Sequence, residues 1–241
     1  MDKNTINKIF HLNNKFYNDV ADEFHSTRNQ PWEGWSKLVK IINDNFHQEI
    51  KILDMGCGNG RFIDVLSKIK VDYNYSGLDN NTRLLEIAGK KYTGTNVNFI
   101  NIDVFNELDK INSTYDVIVL FGITHHIPSR ELRVDWFKNI ARLLNPGGLF
   151  IFTIWNIHKD ERSEKLTDNI DEFEPQELEY GDKFYGWGDS NVYRYVHIYS
   201  EDELDEIVTA LNSENLHLID KFEHDGKALN LNAYFVLRKS K

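Results

Sequence analysis

Apolar positions along the chain switch repeatedly between a period of two and a period near 3.6, the pattern of alternating strands and helices. Two helices are predicted first, over 5–27 and 31–46, separated near Asn29-Gln30-Pro31; Pro31 suits a first helical turn. A strand follows at Ile50–Leu53, then a glycine loop and a helix with apolar positions Phe62, Ile63, Leu66 and Ile69. Strands near Tyr73–Leu78 and Val97–Ile102 flank a helix carrying Leu84, Leu85, Ile87 and Ala88. Tyr115–Phe121 is almost unbroken in apolar character, as expected of a parallel strand covered on both faces. Ser129 is the expected cap of a helix burying Leu132, Trp136, Phe137, Ile140 and Leu144, which Asn145-Pro146-Gly147-Gly148 ends. A fifth strand is expected at Leu149–Trp155 and another at Val192–Tyr199. Ser200 and Glu203 then form a capping-box pattern before a helix with Leu204, Ile207, Val208 and Leu211. Leu216–Phe222 and Ala233–Leu237 read as an antiparallel pair.

This alternation predicts an α/β fold: a doubly wound, mainly parallel seven-stranded sheet of Rossmann-like type, preceded by N-terminal helices. Ligands in such sheets bind beyond the carboxyl ends of the strands, so the loop after the first strand draws attention. It reads Asp54-Met55-Gly56-Cys57-Gly58-Asn59-Gly60. The dinucleotide fingerprint G-x-G-x-x-G fails, because the glycines are spaced G-x-G-x-G and Arg61 follows. Asp54 is placed to hold a cationic group or to buttress the loop. Backbone N–H groups and the positive end of the following helix are expected to take a carboxylate. Asp79 ends the second strand, where a carboxylate accepts ribose hydroxyls or serves the turn. Asp103 ends the third, where it accepts from an adenine amino group or forms an Asx-turn.

Length and charge narrow the picture. At 241 residues, one domain spanning 1–241 is expected, with 1–48 as an N-terminal helical substrate or lid region and 158–190 as an acidic insertion or loop. Residues 159–182 hold ten acids against three bases, which reads as a solvated, mobile loop. The net charge of −10 argues against non-specific nucleic-acid affinity. Cys57 is the single cysteine, so neither an intrachain disulfide nor a cysteine metal cluster is expected, and no H-E-x-x-H occurs. With no long apolar stretch and a polar start, the expectation is a cytoplasmic protein without a membrane partner.

Three acids at successive strand ends, with this glycine spacing, resemble the class I S-adenosylmethionine-dependent methyltransferases over residues 50–155. The resemblance implies an S-adenosylmethionine site built from Asp54, Gly56, Cys57, Gly58, Gly60, Asp79, Asn80, Asp103, Val104 and Phe121. Two further segments, Phe16-Tyr17-Asn18-Asp19-Val20-Ala21-Asp22-Glu23-Phe24-His25-Ser26-Thr27-Arg28-Asn29-Gln30-Pro31-Trp32 and Val192-Tyr193-Arg194-Tyr195-Val196-His197-Ile198-Tyr199-Ser200, together with Thr124-His125-His126, look like the tRNA wobble-uridine carboxymethyl O-methyltransferases. That family esterifies 5-carboxymethyluridine in the anticodon, and its eukaryotic members need a small zinc-binding activator protein. The resemblance implies the tRNA anticodon region as partner. On that reading Arg28 and Arg194 clamp the substrate carboxylate or a nearby phosphate, while His125 and His197 orient the base. The plainer alternatives are a helix-capping Arg28, a strand-face Arg194, a loop-packing His125 or His126 and a satisfied core His197. Aromatics Trp32, Trp35, Tyr185, Trp187, Tyr193 and Tyr195 either stack a splayed base or pack a lid. A small-molecule O- or N-methyltransferase and a non-catalytic methyltransferase-like subunit are the competing functions, since fold does not fix substrate.

Overall fold

The computed structural model describes residues 1–188 and 192–241. Its elements run α1 (Lys3–Asp19), α2 (Ala21–Thr27), α3 (Trp35–Asn45), β1 (Ile50–Met55), α4 (Ile63–Leu66), β2 (Tyr73–Asp79), α5 (Thr82–Lys91), β3 (Val97–Asn101), β4 (Tyr115–Leu120), α6 (Arg130–Ala141), β5 (Leu144–Trp155), β6 (Leu166–Thr167), β7 (Asp182–Gly186), β8 (Tyr193–His197), α7 (Glu201–Ser213), β9 (Leu216–His224) and β10 (Asn232–Lys239). Seven strands form one sheet in the order β3-β2-β1-β4-β5-β10-β9, parallel except for the β9–β10 hairpin. The order reverses between β1 and β4, which makes their carboxyl ends the switch point. One sheet face packs against Trp35, Leu38, Val39 and Ile42 of α3, the other against Trp136, Phe137 and Ile140 of α6 and Ile207 and Leu211 of α7. The N-terminal region is therefore divided: α3 belongs to the core, while α1 and α2 approach the strand ends. Among the described residues no helix is long and apolar enough to cross a membrane.

Several elements depart from the sequence pattern for identifiable reasons. The helix after the glycine loop spans only Ile63–Leu66, because i→i−3 hydrogen bonds such as Asp64 N to Arg61 O and Ile69 N to Leu66 O tighten the flanking turns. A single turn has little macrodipole, so the expected helix-end contribution to anion binding is small. The Asn145–Gly148 stretch does not end α6, which stops at Ala141; it lies inside β5, where pairing jumps from Tyr115–Leu144 to Val117–Leu149. Ser129 has φ 68° and makes no side-chain cap. The free Arg130 N–H at that helix start instead donates to Glu179 Oε2 at 2.8 Å, a carboxylate favoured at a helix N-terminus.

Glu179 belongs to the acidic segment, which is not a structureless solvated loop. It folds into 3₁₀ turns and joins β8 in a three-stranded antiparallel sheet, β6-β7-β8. Its interleaved apolar residues explain this: Phe173 is buried with Phe184, Tyr195 and Ile9 of α1, and Ile170 and Leu178 pack against them. Burying such side chains is worth roughly 1.5–3 kcal/mol each. Glu177 pairs with Lys8 at 3.1 Å. Residues 189 and 190 at the segment's end lie outside the described residues.

Candidate active site

A cavity of about 410 Å³ opens at the switch point, lined by residues from the ends of β1, β2 and β4, from α1, α2 and α3, and from β5, β7 and β8. Gly56, Gly58 and Gly60 adopt positive φ (74°, 54° and 73°), which L side chains rarely tolerate. A Cβ on Gly56 would stand 2.6 Å from Ile123 Cδ1. The turn uses up its own amides. Gly56 N and Cys57 N both donate to Leu78 O, at 2.8 and 3.0 Å, and Gly58 N donates to Asp79 Oδ2 at 2.8 Å. The amide cradle expected for a carboxylate is therefore largely spent inside the loop. A guanidinium stands nearby instead. Arg61 lines the cavity, lies 5.2 and 5.5 Å from the Trp32 and Trp35 rings and donates to Gln30 O at 3.3 Å. Burial and repulsion from Arg28 lower its pKa to about 10, so it stays charged at neutral pH.

Asp54 is buried and accepts from Tyr75 Oη at 2.6 Å. Burial pushes its carboxyl up to about 7, with Asp79 adding repulsion and the Tyr75 hydrogen bond opposing. Asp79 takes Gly58 N on one oxygen and Asn81 N, at 2.8 Å, on the other, leaving a lone pair on each. Burial raises its pKa too. Leu84, Val104 and Phe105 supply apolar wall, and Trp35 Nε1 is buried without a hydrogen-bond partner among the described residues.

A second group of polar side chains faces the same space. Arg194 is 5% exposed, has no carboxylate partner among the described residues, and its Nε is unpaired there. Its guanidinium carbon lies 5.2–5.5 Å from the rings of Phe16, Tyr17, Trp155 and Tyr185, and Nη1 donates to Tyr17 Oη at 2.7 Å. Arg28 is half-buried over Phe24, donates to Thr27 Oγ1 at 3.2 Å, and has its pKa lowered by burial and by Arg194. His125 is buried with Nδ1 unpartnered among the described residues. Burial, then His126 and Arg194, hold its pKa well below the usual imidazole range, so it is neutral. Asn59 of the glycine loop donates to Arg28 O at 3.1 Å, and Asn81 donates to Tyr17 O at 2.9 Å, tying α1 and α2 to the glycine loop and the end of β2.

Of the residues expected from sequence, Asp54, Gly56, Cys57, Gly58, Asp79, Asn80, Val104, Phe121, Arg28, His125 and Arg194 all line this cavity. Three do not. Gly60 packs beneath the loop against Phe99 and Tyr92. Asp103 takes Phe105 N at 3.0 Å and Asn106 Nδ2 at 2.9 Å, the Asx-turn alternative, and borders a neighbouring groove with Asn80 and Asn101. His197 is held between Asp182 Oδ1 at 2.7 Å and Glu203 at 3.2 Å, away from the cavity. Strand alternation explains it: Arg194 and His197 are three apart on β8 and so point to opposite faces. Tyr17, Trp155, Arg61 and Arg162 line the cavity without having been assigned a role from sequence. Arg162 sits inside the acidic segment, where composition hides it. Tyr17 lies in the Phe16–Trp32 segment, and only the i, i+4 spacing of Asn13 and Tyr17 marks a shared helix face.

Such a sheet order, glycine turn and pair of acids at the β1 and β2 ends define an S-adenosylmethionine-dependent methyltransferase of the class I fold. The methyltransferase domain family matches residues 25–218, and the chain belongs to it. The mouse (Mus musculus) tRNA (carboxymethyluridine(34)-5-O)-methyltransferase ALKBH8 is 25% identical over 62% of this chain and 20% of its own. The Saccharomyces cerevisiae tRNA (carboxymethyluridine(34)-5-O)-methyltransferase is 29% identical over 60% of this chain and 48% of its own. A putative methyltransferase of Encephalitozoon cuniculi is 29% identical over 58% of this chain and 60% of its own. The chain thus spans between a fifth and three fifths of these relatives' lengths. Among solved structures, an S-adenosylmethionine-dependent methyltransferase from Methanosarcina mazei superposes with a TM-score of 0.63 at 18% identity, over 83% of this chain and 97% of that one. The N-methyltransferase NodS of Bradyrhizobium japonicum, with S-adenosylhomocysteine, gives 0.63 at 13% identity, over 95% and 99%.

Proposed function

We propose that this methyltransferase esterifies a carboxylate, that of a carboxymethyl group on a wobble uridine of tRNA. The observation that carries the reading is Arg194, a buried cation without a carboxylate partner among the described residues, in the wall of the cavity that holds the cofactor acids. An uncompensated buried charge costs several kcal/mol, and aromatic faces repay only part of that. An anionic ligand group is its natural complement. The mouse and yeast relatives, both tRNA (carboxymethyluridine(34)-5-O)-methyltransferases, support that substrate.

Bound S-adenosylmethionine supplies an electrophilic methyl group on a sulfonium. On this reading the ionised Asp54 takes the cofactor ammonium, Arg61 its carboxylate and Asp79 its ribose hydroxyls, while Leu84, Val104 and Phe105 flank the adenine. Arg194 and Arg28 hold the acceptor carboxylate, and neutral His125 offers Nδ1 to the base. A carboxylate with a reference pKa near ~4 is ionised at neutral pH and needs no general base. Arg194 stabilises the carboxylate more than the less charged transition state, so its contribution is alignment, where effective molarities amount to as much as roughly 7–11 kcal/mol.

Labelled S-adenosylmethionine and bulk tRNA test this, with the protein alone and with a candidate activator subunit. The expected result is label on tRNA that disappears after mild base, as an ester does. Label that survives base, or none with activator present, overturns the carboxyl reading. Where no label reaches tRNA, the net charge of −10 favours a small-molecule acceptor.

A further inference from the structure

A buried arginine positions a ligand only if its own geometry is fixed, and no ion pair fixes Arg194 among the described residues. A chain of hydrogen bonds does so instead. Tyr195 N donates to Asn13 Oδ1 at 2.7 Å, which sets the Asn13 amide with its nitrogen towards Tyr195 O, 3.3 Å away. His126 Nδ1 lies 2.9 Å from that same carbonyl oxygen. Asn13 Nδ2 also stands 3.2 Å from Nδ1, but the shorter contact is to a carbonyl, which only accepts; Nδ1 therefore carries the hydrogen, Asn13 Nδ2 donates to Tyr195 O, and Nε2 bears a lone pair. Tyr17 Oη, 2.7 Å from Nε2, must therefore donate its proton to His126. The oxygen's lone pairs are left to accept Arg194 Nη1 at 2.7 Å. The polarity from His126 onward follows from its contact with Tyr195 O. The imidazole is neutral, its pKa lowered to about 3 by burial and by Arg194, so the polarity persists across the working pH range. Asn13 and Tyr17 stand one helical turn apart on α1, and Arg194 and Tyr195 are adjacent on β8, so the relay stitches the N-terminal helix to the second sheet across the cavity mouth.

We propose that Tyr17 and His126 are positioning residues that hold the Arg194 guanidinium in register for the acceptor carboxylate. Neither touches the reacting atoms. The inference rests on the reading of Arg194 as the anion-binding group.

Two substitutions at His126 separate this role from simple packing. Gln carries an acceptor oxygen to the place of Nε2, whereas Asn keeps a donor near Nδ1 and loses the acceptor. The probe is an anticodon stem-loop bearing 5-carboxymethyluridine, with S-adenosylhomocysteine affinity and the urea midpoint as controls. Tyr17→Phe and His126→Asn are expected to lower kcat/KM for the stem-loop about tenfold, the worth of one hydrogen bond to a charged group, with S-adenosylhomocysteine affinity within about threefold. His126→Gln is expected to recover most of that loss. The Tyr17→Phe/His126→Asn double variant is expected to be no worse than the poorer single, since both break one chain. Equal behaviour of the Gln and Asn variants, or additive losses, overturns the relay. Long-range ¹H–¹⁵N spectra of the histidine rings give a readout independent of any substrate. His126 is expected as the Nδ1–H tautomer from pH 5 to 8. If the wild type fails to methylate the stem-loop while that tautomer is found, the substrate reading fails and the hydrogen-bond relay stands. An Nε2–H tautomer sinks the relay whatever the substrate.

Discussion

On the proposed reading, Asp54 is the residue whose charge state decides how cofactor binding responds to pH. Its carboxyl sits at about 7 because burial disfavours the anion. A cationic amino group binds the ionised form, so binding expels a proton below that value and affinity falls as pH falls. S-adenosylhomocysteine is expected to bind about tenfold more weakly at pH 6 than at pH 8, read by calorimetry in buffers of different ionisation heat. Asp54→Asn is expected to flatten that dependence; a flat wild-type profile would mean the carboxyl does not face the ammonium. Asp79→Ala removes acceptors for two hydroxyls and is expected to weaken S-adenosylhomocysteine binding by about 10–100-fold. Arg28→Ala is expected to spare that affinity and to lower kcat/KM for the methyl acceptor at least about tenfold; unchanged turnover removes Arg28 from the clamp. Asp54 and Asp79 were legible in sequence because strand ends and a glycine turn leave few places for an acid to point. Asp103 was not, because an Asx-turn and a ligand contact ask for the same residue type.

At the scale of elements, β8 shows what a period of two decides. Arg194 and Val196 face one side; Tyr193, Tyr195 and His197 face the other. That alternation turns His197 into structure. It lies between Asp182 and Glu203, and Glu203 in turn pairs with Arg133, 1% exposed, at 2.8 Å and closes the capping box of α7 with Ser200. Burial raises the Glu203 pKa, but His197, the Ser200 N–H and the charge of Arg133 together outweigh it and lower it. Removing Glu203 leaves Arg133 with Glu179 alone, at 3.1 Å. Glu203→Ala is therefore expected to cost about 1.5–3 kcal/mol of stability, the worth of a hydrogen bond to a charged group, read as a fall in the urea midpoint, while folded variant still binds S-adenosylhomocysteine. The capping box was readable from Ser200 and Glu203 alone, since it depends on residues three apart. The fold of the acidic segment was not. Its charge count suggested solvation, while the cluster that docks Phe173 includes Ile9 of α1, more than 150 residues earlier in the chain.

For the whole molecule, a net charge of −10 coexists with four arginines, Arg28, Arg61, Arg162 and Arg194, in the wall of one cavity. Acids dominate the chain as a whole, yet the cavity wall carries these four guanidiniums against three carboxylates, Asp54, Asp79 and Asp225. An RNA held this way makes few phosphate contacts, and each single-strand contact contributes about −0.7 to the slope of log K against log salt. A slope no steeper than about −2 is expected for an anticodon stem-loop, measured by fluorescence anisotropy between 50 and 200 mM salt as an order-of-magnitude window. A much steeper slope would indicate a phosphate-tracking surface elsewhere on the molecule.

The chain's own pattern determined the alternation of strands and helices, the parallel sheet with its antiparallel hairpin, and the glycine turn between two acids. These depend on residues close in sequence and on the right-handed crossover that such alternation imposes. Tertiary structure alone decided which polar residues meet. Tyr17 of α1, His126 after β4 and Arg194 of β8 stand 68 to 177 positions apart, and their polarity follows from hydrogen bonds across those separations. No local propensity encodes such contacts, because the burial that orders them exists only once the sheet, the N-terminal helices and the acidic segment have packed together.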